Sequence, residues 1–163
     1  MRPDHSGREF QEHLETLEIG GIRACIGTNV FLNVINKEEA NYSYSKEVLL
    51  SVEKGNLEAV IPTLVISEVL TGFYLENRNS DAEQFLTAVM ADKRMITVPL
   101  TVDIAITSAK VRANTGLKLP DSMILATAIK SRARFLISNG NRFPESYEGV
   151  STIKSRDVLE ILK

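Results

Sequence analysis

The stretch RACIGTNVFLN, residues 23–33, predicts a short buried strand that ends at Gly27 and a helix that opens at Thr28 or Asn29, one of which would cap it. In an open α/β sheet, ligands bind at the carboxyl ends of the strands. The turn at residues 27–29 is therefore the first candidate site. Gly27 also has a purely structural interpretation, because glycine permits a tight turn from strand to helix.

The bulk properties of the chain exclude several classes of protein. Its 163 residues suit one domain with a proper core, and its net charge of −2 argues against a protein that coats nucleic acid by bulk charge. No apolar run reaches the roughly 18 residues of a membrane span, and residues 1–7 lack a hydrophobic signal core, so we expect a cytoplasmic protein without membrane contact. Cys25 is the only cysteine and the two histidines are His5 and His13, which excludes internal disulfides and Cys/His metal sites.

The order of apolar segments predicts the fold class. Short strands are predicted at residues 22–26, 57–61, 95–98, 134–137 and 150–153, and helices lie between them. This alternation indicates a three-layer α/β/α domain with a short central parallel sheet. We expect residues 21–163 to form that domain and residues 1–20 to form an N-terminal extension with a helix near residues 9–17.

Three further patterns make local predictions. Ser80 to Glu83 reads as a helix capping box, and Thr101 and Gly116 read as the start and the end of another helix. Within that helix, alanine recurs at every fourth position, residues 105, 109 and 113. Such a row of small residues predicts close packing against a neighbouring helix.

Two carboxylates stand in apolar helical segments. Glu68 lies within residues 65–70, and Asp121 opens a helix at about residues 121–131 that is apolar almost all round and is therefore expected to be buried. A carboxylate in such a setting either faces water or has a buried partner. Each also has an ordinary interpretation, Glu68 as a surface residue and Asp121 as a helix cap.

A fourth candidate place follows the strand predicted at residues 134–137. The sequence there is Ser138-Asn139-Gly140-Asn141, and Asn-Gly is typical of a β-hairpin turn. Phe143-Pro144 follows it where a hairpin would continue with an alternating strand. Because the carboxyl ends of parallel strands share one edge of a sheet, we expect the four places to converge on one pocket.

Taken together, the four segments resemble those of the PIN-domain family, and within it the VapC-type toxins. The resemblance covers about residues 22–155, and the family has aspartate at the first and fourth of these places. The matching segments here, in chain order, are Gly27-Thr28-Asn29, Ser67-Glu68-Val69-Leu70, Leu119-Pro120-Asp121-Ser122 and Ser138-Asn139-Gly140.

The resemblance implies a metal-dependent endoribonuclease. The family's carboxylates hold Mg²⁺ or Mn²⁺, hard cations that prefer oxygen ligands, and the metal activates a water and stabilises charge on the phosphate. Thr28 and Ser138 would orient waters or carboxylates there, and Asn29 would offer a neutral oxygen. The resemblance also implies a homodimer and a small antitoxin that inserts a segment into the acidic pocket.

The chain departs from the family at two of its four acids. Gly27 and Gly140 stand where the family has aspartate, so only Glu68 and Asp121 remain as metal ligands. A neutral oxygen such as that of Asn29 attracts a divalent ion much less than a carboxylate does. We therefore expect Mg²⁺ or Mn²⁺ to be bound weakly or not at all, and cleavage to be impaired.

Basic residues cluster in sequence around Asp121, and three of them, Lys118, Arg132 and Arg142, are candidates for contact with the RNA backbone. The alternative is a set of solvated helix ends. Two functional hypotheses remain open: an impaired PIN endoribonuclease of the toxin type, and a non-catalytic PIN scaffold that binds RNA or an antitoxin. A Rossmann-like nucleotide binder is set aside, because no glycine-rich phosphate loop follows the first strand.

Overall fold

A computed structural model describes residues 21–162 of the chain. The predicted extension at residues 1–20, with its helix, lies outside the described residues. The strands are β1 (Ile22–Ile26), β2 (Leu57–Pro62), β3 (Met95–Val98), β4 (Phe135–Ile137), β5 (Ser146–Tyr147) and β6 (Val150–Ile153). The helices are α1 (Thr28–Ile35), α2 (Tyr42–Glu53), α3 (Thr63–Leu75), α4 (Asn79–Ala91), α5 (Val102–Thr115), α6 (Leu119–Lys130) and α7 (Ser155–Ile161).

The strands form one sheet in the order β3-β2-β1-β4-β6-β5, in which all pairs are parallel except β5 with β6. The chain fills one side of β1 with β2 and β3, and then returns to the other side of β1 with β4. The predicted three-layer α/β/α arrangement around a short, mostly parallel sheet is confirmed. The reversal of strand order lies between β1 and β4, where Ile26 pairs with Ile137.

Strand β1 is the centre of the core. Ala24, Cys25 and Ile26 are fully buried, as are Val60 on β2 and Leu136 on β4. A strand covered on both faces needs a continuous apolar run, which explains the sequence of β1. Each large side chain of this kind contributes roughly 1.5–3 kcal/mol through burial. Burial also raises the pKa of the Cys25 thiol, so the residue is a packing group and not a reactive one.

Helix α6 is the central buried helix that the sequence predicts. Ile124, Leu125, Ala126 and Ala128 are all buried, and the helix packs on β1, β2 and β4. It begins at Leu119, two residues earlier than predicted, with Pro120 in its first turn. Proline fits there because a first-turn residue needs no backbone N–H for an intrahelical bond.

The cap predictions are partly right. Thr101 Oγ1 accepts a hydrogen bond from the backbone N–H of Ile104, and Gly116 ends α5 with φ +72°. The capping box at residues 80–83 is wrong, because α4 begins at Asn79 and makes no side-chain cap bond. Ser80 lies inside the helix and not at its N-cap, and the ordered contact at this end is the one from Arg78 Nε to the Asp81 carboxylate at 2.8 Å.

The predicted packing of the alanine row is also wrong. Residues 105, 109 and 113 are exposed, and α5 packs through Ile104, Ser108 and Val111. Larger apolar side chains on the adjacent face of the same helix gain more from burial than alanine does, and this decides which face turns inward.

The hairpin lies elsewhere than the Asn139-Gly140 signal indicated. Strands β5 and β6 are joined by Glu148 and Gly149, whose φ values are +48° and +83°. Positive φ at both central residues is the signature of a type I′ turn. Strand β5 was not predicted, because a strand of two residues has no alternation of polar and apolar side chains to detect. Within residues 21–162, no helix is long and apolar enough to cross a membrane.

Candidate functional site

The carboxyl ends of β1 and β4 lie side by side at the point where the strand order reverses. The backbone N–H of Gly27 donates to Ile137 O at 3.0 Å. This is the last backbone hydrogen bond between the two segments before they diverge. After this point β1 continues into α1, and β4 continues into the loop that begins at Ser138. Such a divergence opens the crevice in which doubly wound α/β proteins bind their ligands.

The two glycines converge on the side chain of Asn29. A Cβ atom at position 27 would lie 3.8 Å from Asn29 Oδ1, and one at position 140 would lie 3.5 Å from Asn29 Nδ2. Both would also lie within 4.0 Å of a side-chain atom of Ser138. Side chains longer than a methyl at these two positions would therefore enter the same small volume.

Neither glycine is required by its backbone conformation. Gly27 is extended, with φ −74° and ψ 160°, and Gly140 is not among the described glycines with positive φ. The φ and ψ of Gly27 would suit an aspartate, but a Cβ atom there would lie 3.1 Å from Ile137 O, and this close approach favours glycine. The hairpin interpretation of Gly140 is wrong, since the next strand that pairs with β4 is β6, which runs parallel to it.

Thr28 and Asn29 tie α1 to the rest of the site and do not cap it. The N-cap position is Gly27, which has no side chain to offer. Thr28 Oγ1 donates to Glu68 Oε1 at 2.7 Å, and Asn29 Nδ2 donates to Ser138 Oγ at 3.4 Å. Asn29 Oδ1 also accepts from the backbone N–H of Asn139 at 3.3 Å. The predicted cap is wrong because tertiary partners compete for both side chains.

Glu68 and Asp121 lie in contrasting environments. Glu68 projects from α3 and is exposed, as the ordinary interpretation held, but its bond to Thr28 joins it to the turn after β1. The side chain of Asp121 is only 6% exposed, and its Oδ1 lies 3.5 Å from Nη2 of Arg142. Asp121 is not a cap: Lys118 occupies the N-cap position of α6, and no side chain caps that helix. Its place in the first turn still suits a carboxylate, since the helix dipole is positive there.

Beneath the site, four neutral side chains form a hydrogen-bonded network that we name the Asn139 cluster. It consists of Asn33 on α1, Ser45 on α2, Asn139 in the loop after β4, and Ser155 at the start of α7. Asn139 Nδ2 donates to Asn33 Oδ1 at 2.7 Å and to Ser45 Oγ at 3.0 Å. Asn139 Oδ1 accepts from the backbone N–H of Ser155 at 2.9 Å, and the two serine hydroxyls are 3.1 Å apart. The amide of Asn139 thus fixes the loop between Ser138 and Gly140.

The structure connects most of the predicted site residues but not all. Hydrogen bonds and close approaches connect six of them: Gly27, Thr28, Asn29, Glu68, Ser138 and Gly140. Asp121 is connected through Arg142, which follows Gly140 by two positions. Sequence reasoning missed Asn33, Ser45 and Ser155, because polar residues so far apart in the chain carry no local signal of a shared network.

The basic residues divide by location. Lys118 immediately precedes α6 and Arg142 follows β4, so both lie near Asp121. Arg132 lies between α6 and the amino end of β4, at the opposite edge of the sheet. Other members of the cluster have structural partners: Lys130 pairs with Asp103 at 2.8 Å, and the guanidinium of Arg134 lies over the ring of Phe135.

The donor set does not fit a magnesium or manganese site. Across residues 21–162, no three side chains of His, Cys, Asp or Glu come together as metal ligands would. The two remaining carboxylates are each engaged by a protein group, Glu68 by Thr28 and Asp121 by Arg142. A hard divalent cation needs several oxygen ligands in a compact shell, commonly with carboxylates among them.

A model of the PIN-domain family matches residues 24–148. The chain belongs to the PIN-domain family. The match spans β1 through Glu148 and so includes all four candidate places. The family resemblance on which the site was predicted is therefore confirmed.

Solved structures with the same fold come from toxin–antitoxin systems. A toxin–antitoxin complex from Klebsiella pneumoniae matches with 26% identity and a TM-score of 0.61, over 79% of this chain and 96% of that one. VapBC2 from Rickettsia felis, bound to a promoter DNA fragment, matches with 18% identity, a TM-score of 0.62, and 82% and 98% coverage. DNA-bound VapBC from Salmonella typhimurium matches with 20% identity, a TM-score of 0.59, and the same coverage. No curated protein sequence matches the chain.

Proposed function

We propose that this chain is a VapC-type toxin of the PIN family, an endoribonuclease whose Mg²⁺- or Mn²⁺-dependent cleavage is impaired by glycine at positions 27 and 140. One observation carries the proposal. The two glycines face the same Asn29 side chain at the reversal of strand order, next to a turn that is hydrogen-bonded to Glu68. On this proposal, the chain keeps the backbone positions of the family's four acids and has lost two of their side chains.

The impairment follows from electrostatics. Glu68 and Asp121 together offer two negative charges, and Arg142 offsets one of them. Replacing two further carboxylates by hydrogen removes both ligand atoms and the field that draws a divalent cation into the crevice. Neutral oxygens of Asn29 and Ser138 do not replace that field.

The RNA substrate is expected to approach along the edge that carries Lys118 and Arg142. Both residues are exposed and lie near Asp121, where they would contact the phosphate backbone without reading bases. Arg132 is left out of this path because it lies at the other edge of the sheet. A cytoplasmic location would give the protein access to cellular RNA.

RNA cleavage in Mn²⁺ tests the proposal directly. The natural chain is compared with the double variants Gly27→Asp/Gly140→Asp and Gly27→Asn/Gly140→Asn. Asparagine matches aspartate in size and lacks its charge, so it separates a metal-ligand effect from a steric one. We expect only the aspartate variant to cleave. Cleavage by the natural chain would show that Glu68 and Asp121 suffice, and equal activity of both double variants would exclude a role for charge.

The proposal includes a small antitoxin and a homodimer as partners. The relatives named above were solved as complexes with antitoxins, which supports the antitoxin.

The homodimer is supported by an apolar groove of about 230 Å³ that lies between α3 and α6 and is lined by Leu64, Val98, Leu100 and Met123 among others. Leu100, which lines this groove, is half exposed, and Val102, two residues further along the chain, is 77% exposed. Light scattering checks this: Val102→Glu should give a monomer, and Leu75→Glu, at the exposed end of α3, should not change the mass.

The second candidate function is a non-catalytic PIN scaffold that binds RNA or an antitoxin. The observation that favours it is the donor set, which does not fit a metal ion. It predicts that the natural chain binds its partner equally well in EDTA and in Mn²⁺. It gains support if the aspartate double variant binds Mn²⁺ and still cuts no RNA.

A further inference from the structure

We propose that Arg142 acts as a cation built into the chain at the place of a metal ion: it neutralises Asp121 and competes with divalent cations for that carboxylate. The inference rests on the proposed function, because it concerns regulation of the same site. It starts from the ionic contact between Asp121 Oδ1 and Arg142 Nη2 at 3.5 Å.

Asp121 needs such a partner. Its side chain is 6% exposed, at the start of a helix that is buried along most of its length. An ionised carboxylate removed from water is costly unless a positive group or hydrogen-bond donors compensate it. The first turn of α6 compensates part of the charge through its dipole. In PIN sites a metal ion is expected to supply the rest; here the guanidinium of Arg142 is the positive group in place.

Arg142 can supply this charge at low cost. Its side chain is 59% exposed, so the guanidinium keeps much of its hydration while one edge faces the carboxylate. Pairs of this half-buried kind avoid the desolvation penalty that cancels the attraction in fully buried pairs. Because the acid is buried and the base is exposed, Arg142 can serve as the counter-ion of Asp121 without being buried itself.

The arginine is also brought to this position by a fixed loop. Asn139 is held by Asn33, Ser45 and Ser155, and Arg142 follows it by three residues. The loop therefore delivers Arg142 to the first turn of α6 through hydrogen bonds that involve no side chain at position 27 or 140. The pair should persist when aspartates are placed at those two positions.

A consequence follows for metal binding. A guanidinium and a divalent cation repel each other, and they would approach the same carboxylate. Even with aspartates at 27 and 140, the site should therefore bind Mn²⁺ less tightly than its four carboxylates would allow. Removal of the arginine charge should strengthen Mn²⁺ binding, although the arginine is not a ligand.

The first experiment measures Mn²⁺ binding by calorimetry, with no RNA present. The Gly27→Asp/Gly140→Asp chain is compared with the same chain carrying Arg142→Gln or Arg142→Lys. We expect Gln to lower the Mn²⁺ dissociation constant about tenfold, within the usual range of coupling between sites, and Lys to leave it close to the value with Arg. An unchanged constant with Gln, or no Mn²⁺ binding by any of the three, overturns the inference.

The second experiment uses the natural glycines and EDTA, so it stands even if the aspartate variants do not fold. Thermal unfolding is measured for the natural chain, Asp121→Asn, Arg142→Gln and the double variant. We expect Arg142→Gln to lower the melting temperature in the natural chain and to have little effect when Asp121 is already neutral. Equal shifts in both backgrounds overturn the inference. If instead the restored chain binds Mn²⁺ as expected and cuts no RNA, the proposed nuclease fails and the role of Arg142 stands.

Discussion

Two polar regions meet at residues 138–140. One has a side chain at each of its positions, and the other has glycine at two of them. The Asn139 cluster consists of neutral side chains between α1, α2 and α7, joined by partly or fully buried hydrogen bonds. The acidic site above it is charged and open, and it lacks side chains at two positions. The cluster positions the loop, and the acids would supply the chemistry. The comparison teaches that the geometry of this site does not depend on its charges.

The physical reason is the nature of the bonds on each side. Hydrogen bonds among buried neutral groups form during folding and need no ion to complete them. Converging carboxylates, in contrast, repel one another until a cation arrives. A PIN domain can therefore lose acids and keep its fold, whereas loss of the neutral cluster should disturb the fold itself.

The largest expected effect is that of Asn139→Ala. This change leaves the backbone N–H of Ser155 unpaired and removes two further hydrogen bonds, to Asn33 and Ser45, which keep their bond to each other at 3.3 Å. We expect the free energy of unfolding to fall by about 2–4 kcal/mol, since the unpaired N–H costs about 1–3 kcal/mol and each other lost bond about 0.5–1.5 kcal/mol. Urea denaturation measures it. Asn114→Ala is the control, because exposed Asn114 donates one bond to Tyr147, and its loss should cost about 0.5 kcal/mol.

The next effect concerns the charges. In EDTA, Gly27→Asp/Gly140→Asp should lower the free energy of unfolding by about 1–3 kcal/mol, because four acidic groups then share one crevice. Mn²⁺ should recover part of this loss, while the natural chain and the Asn/Asn variant should not respond to Mn²⁺. Melting curves with and without the metal give the answer. If Mn²⁺ leaves the melting temperature of the aspartate variant unchanged, the four positions do not form one site.

A smaller difference separates the two glycines when alanine replaces them. A Cβ atom at 140 meets nothing closer than 3.5 Å, so Gly140→Ala should stabilise the chain by about 0.4–1 kcal/mol through the unfolded state. At 27 the Cβ atom would lie 3.1 Å from Ile137 O, a backbone atom that already accepts the N–H of Gly27. Gly27→Ala should therefore be neutral or destabilising. The reverse ranking in urea denaturation would contradict the predicted geometry.

The smallest effect is expected for Glu68→Gln. Glu68 is exposed, and the hydroxyl of Thr28 can donate to an amide oxygen as well as to a carboxylate. The free energy of unfolding should change by no more than about 0.5 kcal/mol. In the Gly27→Asp/Gly140→Asp background, the same substitution should weaken Mn²⁺ binding clearly. A large loss of stability in the natural chain would mean that Glu68 is a structural residue.

The sequence was sufficient for the fold and for the places of the site, but not for the contacts within it. Apolar runs such as residues 24–26 and 124–128 predict buried elements, because burial acts on each segment separately. The bond of Asn29 to Ser138, the pairing of Asp121 with Arg142 and the Asn139 cluster each join residues from different elements. Their geometry depends on the packed structure. For the same reason the sequence predicted Thr28 or Asn29 as a cap, and it did not reveal that Arg132 lies away from Lys118 and Arg142.

The thiol of Cys25 can report how fast the core of the domain opens. It is the only cysteine, it is fully buried on the central strand, and its Sγ lies 4.0 Å from Ile124 O on α6. A thiol reagent can reach it only when β1 and α6 separate, which is a large part of global unfolding. The labelling rate in native buffer would therefore time the opening of the core directly. The labelling rate offers one readout, with no need to introduce a cysteine, for every substitution described above.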